Sequence, residues 1–232
     1  MSARSATAAA DPRLTRLHAA ATQLRLELAD NDAQRLLAFV DLLRRWNGTY
    51  NLTAVRDPDE MLVQHLFDCL AVVAPLRREL RNSAERRRER QPERLLDVGS
   101  GGGLPGVVLA ALVPDLDVTC VDSVGKKTAF IRQAGAELGL RNLRAEHSRV
   151  EALHAAPFDV ICSRAFASLV DFTSLTRPHL GEAGIWMAMK GKRPDAEIAA
   201  LSPDVQMFHV EPLKVPELDA ERCLVWMHAA EG

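Results

Sequence analysis

Leu96-Asp97-Val98-Gly99-Ser100-Gly101-Gly102-Gly103-Leu104-Pro105-Gly106 joins the end of a predicted strand, Leu95 to Val98, to a predicted helix through Val107 to Leu112. Five glycines between a strand and a helix exceed what a tight turn requires. They let backbone N–H groups approach a ligand closely, and Pro105 sits where a first-turn proline costs no hydrogen bond. Two registers compete. Gly101, Gly103 and Gly106 satisfy the dinucleotide pattern G-x-G-x-x-G. Read from the strand end, Asp97-x-Gly99-x-Gly101-x-Gly103 is an acidic residue followed by alternating glycines. Asp122, at the end of the next predicted strand, is placed for a ribose diol under either register.

Beyond the loop, short apolar runs alternate with helical stretches: Leu95 to Val98, Val118 to Val121, Leu143 to Ala145, Phe158 to Cys162 and Ile185 to Met189. This alternation predicts a parallel sheet. Val205 to Val210 and Cys223 to His228 are separated by a loop with Pro212 and Pro216 that leaves no room for a crossover helix, so they predict an antiparallel pair at the sheet edge. Before the sheet, residues 1–11 read as a loose, disordered tail and 12–76 as a helical extension. Helical periodicity runs from Leu14 through Leu17, Leu24 and Leu28. Asn31 with Gln34 predicts a capping box, and Leu36, Phe39, Val40, Leu43 and Trp46 continue to a stop at Gly48. Asp57, Pro58 and Glu60 open a further helix toward Ala74. Residues 77–93 form an arginine-rich linker or helix, and 94–232 the sheet domain.

The chain's 232 residues, 47% apolar and 26% charged, allow a large core and exclude disorder over most of the length. Net charge is −2, which excludes a globally basic nucleic-acid binder. Residues 77 to 94 hold eight arginines and four glutamates, a basic block read either as a solvated segment or as an arm for RNA phosphates. Cys69, Cys120, Cys162 and Cys223 make no C-x-x-C pair and the histidines no H-x-x-x-H pair, so no metal is expected. No apolar run is long enough to span a bilayer, and the start lacks a secretory pattern; a cytoplasmic monomer is the expectation.

The Asp97 register resembles motif I of class I S-adenosylmethionine-dependent methyltransferases, and a parallel sheet closed by an antiparallel hairpin is similar to their Rossmann-like fold. A nicotinamide-dependent oxidoreductase stays open, as does a catalytically inactive nucleoside-binding module of ribosome assembly. The segment Phe158 to Phe166 has neither the N-P-P-[FY] pattern of exocyclic-amine methylation nor the Pro-Cys of cytosine C5 enzymes. Guanine N7 needs no base, because its lone pair attacks directly and no proton leaves. Were a base required, His147, His65 and Asp68 would be the available acceptors.

A narrower resemblance runs from about Leu36 onward. Trp46-Asn47-x-x-Tyr50-Asn51-Leu52-Thr53, Leu96 to Gly106, Asp122-Ser123-x-Gly125-Lys126-Lys127, Ser148-Arg149-Val150-Glu151 and Ser163-Arg164-Ala165-Phe166-Ala167 resemble the RsmG (GidB) family. The resemblance implies transfer of a methyl group from S-adenosyl-L-methionine to N7 of one guanosine in the decoding-region loop of 16S ribosomal RNA, with that RNA or the small ribosomal subunit as partner. It puts Gly99, Gly101 and Leu104 in the cofactor loop, Val150 and Glu151 at the adenine, and Arg164, the candidate catalytic residue, beside cofactor and target base. Asp122 joins the cofactor set on its position alone. Lys126, Lys127, Arg132, Arg149 and Lys190, at or just after strand ends, are candidates for the RNA surface.

Overall fold

The computed structural model describes residues 11–86, 93–164, 166 and 168–230. Strands β1 (Glu93–Val98), β2 (Leu116–Asp122), β3 (Leu143–His147), β4 (Phe158–Ser163), β5 (Leu180–Lys190), β6 (Val205–Leu213) and β7 (Arg222–Ala229) form one sheet in the order β3-β2-β1-β4-β5-β7-β6. β1 to β5 are parallel to one another, and β7 is antiparallel to both β5 and β6. The chain therefore has the mostly parallel sheet with closing hairpin expected of a class I methyltransferase. Strand order reverses between β1 and β4, where Ser163 Oγ donates to Val98 O at 2.9 Å.

Helices α1 (Pro12–Gln23), α2 (Asp30–Tyr50), α3 (Pro58–Met61) and α4 (Asp68–Arg86) precede the sheet, with a π-helical turn, Leu62–Phe67, joining α3 to α4. Within the sheet region lie α5 (Gly106–Leu112), α6 (Gly125–Leu138), α7 (Leu169–Thr176) and α8 (Asp195–Ala199). β1 is buried on both faces, as a central parallel strand must be. Leu95 faces a core shared by α1, α2, α4, α5 and α6, whereas Leu96 and Val98 face a second core built on α7. The helices ahead of the sheet thus share one continuous core with it.

Several local expectations are corrected. α1 ends at Gln23, with Leu24 as its C-cap and Arg25 in the left-handed conformation (φ 55°), and Leu24, Leu26 and Leu28 pack against the core from this turn and the connection that follows. α2 starts at Asp30 without a side-chain cap, so Asn31 lies inside its first turn beside the dipole-favoured Asp30 and Asp32. It passes Gly48 and stops at Asn51, which takes the left-handed conformation (φ 50°). Asp57 caps α3 as expected, accepting from the Asp59 and Glu60 N–H groups. The helical run does not stop near Ala74 but carries Pro75 inside α4. An interior proline costs about 3 kcal/mol, and burial of Leu76 and Leu80 just beyond it returns roughly 1.5 to 3 kcal/mol each.

Part of the arginine block is structural. Arg78 pairs with both oxygens of Glu211 at 3.0 and 2.7 Å, Arg77 donates to Leu112 O, and Arg94 covers the Phe158 ring at 4.5 Å. Arg78 ties α4 to β6, Arg77 ties α4 to α5 and Arg94 joins β1 to β4, so these three serve the fold. Residues 1–10 and 87–92 lie outside the described residues, whereas Asp11, expected in a disordered tail, caps α1 by accepting from Arg13 N. No described helix is long and apolar enough to cross a membrane.

Candidate active site

The ends of β1, β2 and β4 converge where the strand order reverses, the position at which open α/β sheets bind ligands. Gly99, Gly101 and Gly103 all adopt positive φ (67°, 57° and 78°), a conformation that costs a residue with a Cβ about 1 to 2 kcal/mol. The Gly99 N–H donates to Val121 O at 2.9 Å and so ties the loop to β2. At Gly106 the constraint is space: a Cβ would collide with Cys120 Sγ and with the Asp97 carboxylate. Only glycine allows α5 to begin this close to β1 and β2.

That approach delivers the Gly106 N–H to Asp97 Oδ2 at 2.9 Å. Asp97 is fully buried, and its second oxygen, Oδ1, has no hydrogen-bond partner among the described residues. Burial pushes its carboxyl up to about 7, against the opposing pull of the Gly106 N–H and the Arg164 charge. Asp122, also buried, is satisfied differently. Its Oδ2 accepts from Gly101 N at 3.0 Å, its Oδ1 from Val124 N at 2.9 Å, and Lys127 Nζ lies 3.5 Å away. Each oxygen keeps a lone pair for a further donor.

Beside Asp122 opens a cavity of about 450 Å³. Val98, Val121, Val150, Phe166 and Leu175 give it apolar wall; Gly99, Asp122, Lys127, Arg149 and Glu151 add polar groups. Phe166 packs on Phe172, with ring centroids 5.5 Å apart. Val150 is fixed through its carbonyl, 2.7 Å from His179 Nε2.

Arg164 follows Ser163 at the end of β4 and turns toward the helices ahead of the sheet. Its Nη1 lies 3.3 Å from Gln64 O, 3.5 Å from His65 Nδ1 and 3.7 Å from Asp68 Oδ2. His65 Nε2 meets Thr53 Oγ at 2.7 Å, and Asn47 holds the loop that carries Thr53, accepting from Thr53 N at 2.9 Å and donating to Val55 O at 3.1 Å. Burial and the neighbouring Arg164 charge pull His65 down to about 4, so it is neutral at physiological pH. Burial pushes Asp68 upward, against the pull of Arg164 and Arg222.

The family model for rRNA small subunit methyltransferase G (GidB) matches residues 32–225. The chain belongs to this family. Among its relatives is the Ribosomal RNA small subunit methyltransferase G of Leptothrix cholodnii, 60% identical over 91% of this chain and 93% of that protein. The Bordetella pertussis protein of the same name is 54% identical, covering 94% of each. Among solved structures, a mutant of MtNAS in complex with S-adenosylmethionine shares the fold (TM-score 0.53, 16% identity, 83% of this chain and 73% of that one). TrmN from Thermus thermophilus does too (TM-score 0.51, 20% identity, 61% of this chain and 45% of that one).

For this family member, the structure gathers some of the residues singled out from sequence and separates others. Gly99, Asp122, Lys127, Arg149, Val150 and Glu151 all line the cavity. Gly101 stands behind it, holding Asp122, and Leu104 is buried in the core shared with the N-terminal helices. Lys126 is exposed on the first turn of α6. Arg132 is not with them: its guanidinium donates twice to Ala145 O on the sheet's edge strand, at 3.0 and 2.8 Å. Lys190 is bound by Glu197 at 2.8 Å, which also accepts from Leu169 N, so its charge joins β5 to α7 and α8. Sequence reading missed the structural part played by Asn47, Thr53, Asp68 and Arg222. The signal for Asp68 was present, a carboxylate inside the apolar run Leu66-Phe67-Asp68-Cys69-Leu70. A charge there is buried and therefore paired.

Proposed function

We propose that the chain transfers a methyl group from S-adenosyl-L-methionine to N7 of a single guanosine in the decoding-region loop of 16S ribosomal RNA, as a cytoplasmic monomer without a metal. The observation that carries this reading is that one switch point brings together a cavity of about 450 Å³ lined by Asp122, the buried carboxylate of Asp97 and, close enough to act on it, Arg164. The residues fit the cofactor. Val150, Phe166 and Leu175 offer apolar surface to a flat base, with Glu151 at the rim for its polar edge. The free lone pairs of Asp122 suit a ribose diol. The unpartnered Oδ1 of Asp97 suits a cationic donor, the charge that an amino-acid ammonium carries.

When bound, the cofactor supplies an electrophilic methyl group on a sulfonium. The protein's part is to hold this methyl and the guanine in line, a contribution worth several kcal/mol by position alone. No proton leaves N7, which suits a site where His65 is neutral and held by Thr53 and where Asp68 is paired with arginines. A guanidinium is not a general base. That of Arg164 can hold the cofactor carboxylate or donate to guanine O6 and so orient N7.

Tritium transfer from labelled S-adenosylmethionine to small subunits or 16S RNA, followed by mapping of the modified nucleotide, tests the reading. Label confined to one N7-methylguanosine in the decoding region supports it; label elsewhere, or none, rejects it. Calorimetry with S-adenosylhomocysteine against NAD separates the oxidoreductase alternative.

A further inference from the structure

The π-helical turn ahead of α4 widens an otherwise α-helical run by one residue per turn, a device frequent at functional sites. Toward Arg164 the turn and the next residue present polar groups: the Gln64 carbonyl, the His65 ring and the Asp68 carboxylate. All three converge on one nitrogen of Arg164, within 3.3 to 3.7 Å. On its other oxygen, Asp68 accepts from Arg222 Nε of β7 at 3.0 Å.

This is a costly arrangement. The Asp68 side chain is only 4% exposed, and taking an ion out of water costs several kcal/mol, so an apolar replacement for such a triad is often neutral or stabilising. Its neighbours Leu66, Phe67, Cys69 and Leu70 are apolar and buried, so the segment needs no charge in order to pack. The charge stands where it meets the arginine that follows β4, at the point where strand order reverses.

We propose that Asp68 is a positioning residue for methyl transfer: together with His65 it holds the Arg164 guanidinium toward cofactor and target base, so that the helices ahead of the sheet complete the site. The inference rests on the reading of Arg164 given above. Arg222 holds Asp68 from the far side and links the C-terminal hairpin to the same guanidinium. Asp68 touches no substrate in this scheme; it acts only through Arg164.

The test uses the full chain, with single-turnover methyl transfer to small subunits, S-adenosylhomocysteine affinity and thermal unfolding measured in parallel. Asp68→Asn should slow transfer at saturating substrates by about 10-fold or more, the scale of a misplaced reacting group, and weaken cofactor affinity no more than Arg164→Ala does. Asp68→Glu should recover part of the rate. In an Arg164→Ala background, Asp68→Asn should add little, because the group through which it acts is gone. Should Asp68→Asn alone strand two guanidiniums and fail to fold, Asp68→Asn with Arg222→Gln leaves only that of Arg164 and is measured in its place. A folded variant with the wild-type rate overturns the proposal, as do losses that multiply with Arg164→Ala. A wild-type chain that methylates no small-subunit RNA overturns the functional reading itself and the proposal with it, an outcome distinct from both.

Discussion

Replacing Asp97 by asparagine keeps a carbonyl for the Gly106 N–H and removes a buried charge. The unfolded chain releases this proton near 3.8 and the folded chain near 7. Between those values the folded state keeps a proton that the unfolded state has lost. Wild-type stability therefore falls as pH rises, by about 1.4 kcal/mol per pH unit, and levels off above 7. From pH 4.5 to 7.5 the loss comes to about 3 kcal/mol. Asparagine has no such proton, and every other titrating group is common to both chains. In urea titrations at a series of pH values, the unfolding free energy of Asp97→Asn should climb relative to wild type by about 3 kcal/mol over that interval. The same variant should bind S-adenosylhomocysteine more weakly at pH 8, since a neutral amide cannot pair with the ammonium as a carboxylate does. A stability gap that stays constant within about 0.5 kcal/mol would refute the desolvated-carboxylate argument, and with it the idea that this acid is kept for the ligand at the expense of the fold.

Asp122→Ala should weaken S-adenosylhomocysteine by about 1 to 3 kcal/mol in calorimetry, the usual loss of a hydrogen bond to a charged group; unchanged affinity would remove Asp122 from the ribose. Arg164→Ala should slow single-turnover transfer by about 10²-fold, with Arg164→Lys only partly active, since a point charge does not replace a planar fork. With both substrates saturating, the wild-type rate should be nearly flat between about pH 6 and 8.5; a log-linear rise with a midpoint near 7 would show that a general base had been overlooked. Arg149→Ala should reduce the salt slope of RNA binding by about 1, whereas Lys190→Met, whose ammonium is engaged with Glu197, should leave it unchanged.

The sheet was legible because its signals are local. Apolar runs bounded by glycine and proline mark β1 to β5, and the short connection between β6 and β7 forces them antiparallel. The same holds for Asp97, Gly99 and Asp122, whose order along a strand–loop–helix unit fixes where they stand. Helix ends were less legible, since tertiary packing decided them: buried Leu76 and Leu80 carried α4 through Pro75, and Asn51 supplied the left-handed stop that Gly48 was expected to give. Least legible were partners that only the fold brings together. Nothing near Asp68 indicates that it meets Arg164 and Arg222, and nothing near Lys190 or Arg132 indicates that their charges are satisfied by Glu197 and by a β3 carbonyl.

Among the described strands β7 is last in sequence, yet in space it lies between β5 and β6, with Leu224, Val225, Trp226 and Met227 fully buried. Synthesis from the N-terminus therefore leaves β5 without its folded-state partner on that edge until residues 222–229 have emerged. An unpaired apolar edge is a template for another chain. The nascent protein thus passes through a stage at which most of its core exists and one seam stays unsealed. A chain cut short before Arg222 would lack the strand between β5 and β6 and the arginine that grips Asp68. It should accumulate as aggregate rather than as a smaller enzyme.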